Sequence, residues 1–160
     1  MRLIKWLDKN LEESILVILL INMILIMGLQ ITMRYIFQSS LTWSEELVRF
    51  MFIWSTFISV PYCIKHGRSI KIVTFRENFS KRVKRLLLIV DKIFLLVLFS
   101  ILTYYAVDVV RMTGLSGQSS TALGLPMGVV QISTVIGFGL SCFRIIQKLF
   151  ISLKGKETEV

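Results

Sequence analysis

Between Ile15 and Met33 the chain reads ILVILLINMILIMGLQITM, 19 residues without a charged side chain. As an α-helix at ~1.5 Å per residue this run reaches about 28 Å, close to the hydrocarbon thickness of a bilayer. Three further apolar runs follow, roughly Leu47–Ile64, Leu86–Val107 and Leu125–Phe143. The second holds Arg49 near its start, the third holds Asp91 and Lys92 one turn in, and the fourth has only Gln131, serines and a threonine as polar groups. Charged residues make up 18% of the chain and apolar residues 54%, with a mean hydropathy of +0.72. A soluble domain carries about a quarter charged residues, so too little polar surface is left here to coat a water-soluble globule. The expected fold is an all-α membrane protein with four transmembrane helices, forming one membrane domain over 1–160. The polar loops are too short to support a closed barrel of ~8 strands.

The first run reads as a retained span. It exceeds the ~7–15 residues of a signal-peptide core. Arg34, Tyr35, Ile36 and Phe37 follow it, with no small-residue cleavage site.

With 19 Lys and Arg against 10 Asp and Glu, the formal charge is +9. The cations gather at the ends of the apolar runs, which favours the membrane surface over nucleic acid as their partner. Of these 19, only Arg34, Arg49 and Arg111 fall on one side of the expected topology, and Lys92 lies within the third span. The rest flank the other side, which puts both termini and the second loop in the cytoplasm. Trp6, Tyr35, Trp43, Tyr62, Tyr104 and Tyr105 lie near span ends, where an amphipathic ring keeps its polar edge wet. Trp54 sits mid-span in the second helix.

Within the second loop, Ile72, Phe75, Phe79, Val83 and Leu86 recur at helical spacing, with Lys and Arg on the other faces. This predicts an amphipathic helix over about 70–85, lying on anionic lipid or docking a partner.

No catalytic set is present. His66 is the only histidine, Cys63 and Cys142 lack metal-ligand spacing, and there is neither a Gly-rich phosphate loop nor a GxSxG motif. No enzyme activity and no cofactor are expected. Transport by the chain alone is poorly supported, because pumps place carboxylates deep in their spans. Asp91 is near a helix end beside Lys92, and Asp108 can pair with Arg111 at i,i+3.

The densest constellation is Arg34-Tyr35, then Trp43-Ser44-Glu45-Glu46, then Arg49. Glu45 and Arg49 stand at i,i+4 in the favourable order, and the acids lie in the first turn of the second helix. Ser44 or Thr42 is the expected cap. The group reads either as an electrostatic clip between the first two helices or as a polar anchor for another protein. Along the fourth span Ser133, Gly137 and Ser141 recur every four residues, which lets another backbone approach closely. That face can serve packing within the four helices or a partner subunit.

These residues resemble a known family. RYIFQSSLTWSEELVRFMFIW is similar to the signature of the small membrane subunit (DctQ-type small permease) of tripartite ATP-independent periplasmic, or TRAP, transporters. Arg34, Tyr35, Phe37, Trp43, Glu45, Glu46, Arg49 and Trp54 match it. GQSSTALGLPM resembles the family's entry into the last span, through Gln118, Ser119, Ala122, Leu123, Pro126 and Met127. The pattern departs at Ser69 and Val73, where histidine and an acid are common, at Thr121, where proline is common, and at Gln131, where tyrosine is common.

The resemblance implies a bacterial inner-membrane scaffold paired with a large TRAP membrane subunit that moves substrate and sodium. It also implies a periplasmic solute-binding protein that delivers an organic acid. Membrane lipids complete the expected partners, and nucleic acid is not among them. Two other functions fit a small four-span chain: a homo-oligomeric transporter or channel, and a membrane assembly or signalling adaptor.

Overall fold

The computed structural model describes residues 2–66 and 81–153. Four helices fill most of them: α1 Arg2–Tyr35, α2 Thr42–His66, α3 Lys81–Ser116 and α4 Met127–Leu153. Within these, Leu11–Tyr35, Thr42–His66, Leu86–Ser116 and Met127–Phe150 are each long and apolar enough to cross a membrane. Among the described residues there is no strand, only an isolated bridge between Ser119 and Pro126. Of the amphipathic helix expected over 70–85, residues 70–80 lie outside the described residues, and 81–85 open α3. The third helix also runs past Val107 to Ser116, because Val109, Val110, Met112 and Leu115 continue its apolar pattern.

The short connections make α1 and α2, and α3 and α4, antiparallel neighbours. At the end of α1 the Ile36 N–H still donates to Thr32 O at 2.9 Å. Gln38 then takes a left-handed φ of 52°, uncommon for a residue with a side chain. The reversal is held by Ser39 N–H donating to Met33 O at 3.1 Å. The α3–α4 link is folded back on itself: Ser120 N–H donates to Leu125 O at 2.8 Å and Met127 N–H to Gln118 O at 2.9 Å. Gly117 and Gly124 supply the positive φ values of 61° and 66° that this path requires. We call this the turn end of the molecule, and the opposite end, where the termini emerge, the terminus end.

The helices do not close into a ring. α1 packs on α2, α2 on α4, and α4 on α3, giving an open row in the order α1–α2–α4–α3. α4 is therefore interior to the row and α1 and α3 are its edges. Ser133, Gly137, Ser141 and Ile145 of α4 are buried, whereas Leu25 of α1 and Phe94 of α3 are each about two-thirds exposed.

One seam shows why the sequence permits this. Pro61 in α2 has no N–H, so it cannot bond the Phe57 carbonyl four residues before it. Gly137 of α4 lies against that carbonyl: a Cβ built there would sit 2.6 Å from Phe57 O and 2.8 Å from Phe57 Cβ. Phe138, the next residue, takes Phe57 edge-on at 5.4 Å and reaches Phe99 of α3 at 5.9 Å, joining three helices by aromatic contact. Lipid supplies no hydrophobic drive for helices to associate, so such close fit matters most.

Candidate functional site

Polar groups fasten the row at both ends. At the turn end, Gln30 of α1 donates through Nε2 to Glu45 Oε1 of α2 at 2.7 Å. The neighbouring Glu46 faces the other way. Its Oε2 accepts the backbone N–H groups of Ala122 and Leu123, both at 2.9 Å, and so ties α2 to the α3–α4 link. Ser120 stiffens that link, its Oγ accepting Leu125 N–H at 3.2 Å. Thr113 of α3 donates to Gln131 of α4, fastening the last seam.

The terminus end is built on Glu12, which is 1% exposed. Its Oε2 takes Lys65 Nζ of α2 at 2.9 Å, and its Oε1 takes Arg144 Nε of α4 at 2.6 Å. Arg144 Nη1 also donates to Gln147 Oε1 at 2.8 Å. Lys92 of α3, itself buried, reaches the Lys148 carbonyl of α4 at 3.4 Å. Three helices meet on Glu12, and Lys92 ties the fourth to α4 beside them. A buried carboxylate needs such partners, since its desolvation cost is otherwise uncompensated.

The expected residues fall into three groups. Glu45 and Glu46 take part in the turn-end fastening, but the expected Glu45–Arg49 ion pair does not form. Gln30 occupies Glu45, and Arg49 is exposed with no ion pair among the described residues. Ser44 does not cap α2 by accepting an N–H; its Oγ donates back to Leu41 O at 2.7 Å. Arg34, Tyr35 and Trp43 are exposed around the same end, and Trp54 is half-buried. Gln118 and Pro126 act through the backbone: Gln118 O accepts Met127 N–H, and Pro126 O accepts Val129 N–H at 3.0 Å at the start of α4. Ser133, Gly137 and Ser141 are buried, with both serine hydroxyls bonded to carbonyls of their own helix. The four-residue stripe is therefore used inside the row, with Gly137 on α2.

Sequence reasoning missed Glu12. It lies one turn before the first charge-free run, at the same membrane level as Lys65 and Arg144 once the spans alternate in direction. An acid one turn before the run, at a level rich in cations, was the available signal. Gln30, a lone amide inside the first run, was the second.

Residues 23–155 match the family described as tripartite ATP-independent periplasmic transporters, DctQ component. The chain is 30% identical over 150 residues to the isethionate TRAP transporter permease protein DctMQ of Oleidesulfovibrio alaskensis, covering 90% of this chain and 24% of that protein. It is 29% identical over 121 residues to the ectoine TRAP transporter small permease protein TeaB of Halomonas elongata, covering 76% of this chain and 61% of that one. Against the sialic acid TRAP transporter small permease protein SiaQ of Vibrio cholerae the identity is 22% over 160 residues, covering 96% and 88%. The chain thus spans less than two-thirds of the first two relatives and most of the third.

Proposed function

The chain belongs to the DctQ component family of tripartite ATP-independent periplasmic transporters, and from that premise we propose that it is the stationary brace of a sodium-driven uptake system for an organic acid. In this reading it is one four-helix membrane domain, lying in a bacterial inner membrane with both termini in the cytoplasm. A large membrane subunit carries the solute, and a periplasmic binding protein delivers it.

The open row carries the proposal. Three of its acids are engaged within the row: Glu12, Glu45 and Glu46 each hold another helix or link. A transport pathway needs carboxylates facing a water-filled route across the membrane. What the row offers outward is broad apolar surface along α1 and α3, suited to lying against a larger membrane protein. Arg34 and Arg49, exposed at the turn end with Tyr35 and Trp43 beside them, are the polar contacts assigned to that partner. Two features of the relatives support the reading. They are named for three different solutes, as expected if this component does not bind solute. The isethionate relative matches over only 24% of a longer permease whose name joins two components.

The test is sodium-gradient uptake in vesicles by the large subunit with and without this chain, together with this chain alone. The expected result is uptake only when both membrane components are present. Solute flux through this chain alone overturns the proposal.

A further inference from the structure

A groove of about 530 Å³ lies between α3 and α4, lined by none of the fastening residues described above. On α3 its wall is one face of the helix: Ser100, Thr103, Tyr104, Asp108 and Arg111 all line it. On α4, Gly139 and Cys142 do. Arg111 lies about 8 Å along the axis from the end of α3, and Ser100 about 24 Å. The groove is thus about 16 Å long, close to half of a ~30 Å hydrocarbon core. With a bilayer core centred on the span Leu86–Ser116, this stretch runs from the headgroup boundary to the midplane.

Its polarity changes along that length. The deep part is polar in name only. Ser100 Oγ donates to Leu96 O at 2.7 Å and Thr103 Oγ1 to Phe99 O at 2.7 Å. Their protons are thus taken up within α3, and the Cys142 sulfur sits 3.9 Å from Ser100 Oγ. A Cβ at Gly139 would meet open space, so the glycine leaves the floor clear. The shallow part carries both charges. Asp108 and Arg111 are one turn apart, yet no ion pair joins them, contrary to the pairing their spacing suggests.

We propose that this groove is a binding site for one phospholipid with a phosphoethanolamine headgroup, held in the leaflet at the turn end. Arg111 takes the phosphate and Asp108 the primary ammonium, while an acyl chain lies along Gly139 and Cys142. Two observations select this occupant over a helix of another protein. The groove is one leaflet deep, whereas a spanning helix would need the full thickness. Opposite charges sit side by side at the headgroup level only, which complements a zwitterion and disfavours an anionic lipid through Asp108.

Native mass spectrometry of the full chain, released from nanodiscs of equal phosphatidylethanolamine and phosphatidylglycerol, tests the site. Wild type is expected to retain one ethanolamine lipid in roughly ten-fold preference, the scale of one charge-assisted contact. Asp108→Asn should abolish the preference, and Arg111→Gln should reduce retention of both lipids. Gly139→Leu should fill the floor and release the lipid, with circular dichroism and the unfolding midpoint reporting an intact fold. Equal retention of the two lipids by wild type overturns the proposal, as does undiminished retention by a folded Gly139→Leu protein. Displacement of the lipid when a large subunit is co-purified, with cross-links from Cys142 to that subunit, overturns it in favour of a protein contact.

Discussion

Glu12 and Arg49 are both ionisable residues close to the membrane boundary, and their surroundings give them opposite roles. Glu12 is enclosed by Lys65 and Arg144, so Glu12→Gln would remove the buried negative charge that both cations share. Breaking a buried pair in this way costs about 3–5 kcal/mol. The unfolding midpoint in detergent should therefore fall sharply, whereas Glu13→Gln, at an exposed neighbour, should leave it nearly unchanged. Arg49 touches no acid among the described residues, so Arg49→Ala should alter the stability of the isolated chain by no more than about 0.5 kcal/mol. Recovery of the large subunit in a detergent pull-down should nevertheless drop, and undiminished recovery would remove Arg49 from the partner surface. The i,i+4 spacing of Glu45 and Arg49 was visible in the sequence. Their separation was not, because spacing within one helix cannot rank Arg49 against an amide arriving from another helix. Glu12 was hidden for a related reason: its partners are 53 and 132 residues away in the chain.

At the level of helices, the α2–α4 seam depends on a missing side chain meeting a missing N–H. Gly137→Ala puts a methyl 2.6 Å from Phe57 O, and the helices must separate to admit it. Overpacking of this kind costs about 1–3 kcal/mol. The expected outcome is a lower unfolding midpoint for Gly137→Ala and none for Gly139→Ala, whose added carbon meets open space. The four helices themselves were legible, since apolar runs of this length have little alternative in lipid. The small-residue spacing on α4 was legible too. Its neighbour was not, because a stripe of serine and glycine accepts any backbone; Pro61, buried in α2, is what exposes the matching carbonyl. The extension of α3 to Ser116 was missed because Asp108 and Arg111 suggested a boundary that the helix ignores.

Taken whole, the molecule is a row with two apolar edges, and its edges should behave differently from its centre. Cysteines placed at Leu25 on α1 and Phe94 on α3 should react with a membrane-soluble thiol reagent in the isolated chain, while one at Ile145, which is 1% exposed, should not. When the large subunit is bound, one edge should become protected. Undiminished reactivity of both edges in the complex would rule out a partner seated along either. The row also has a consequence for how the protein is made. α2 can settle on α1 as soon as both have left the ribosome. The third helix has no such berth: its neighbour is the last helix of the described chain, so until that one arrives it must wait in lipid alone. These four helices can finish assembling only when α4 slides between the first pair and the stranded third, which makes a protein stopped short of Met127 two unconnected pieces on one thread.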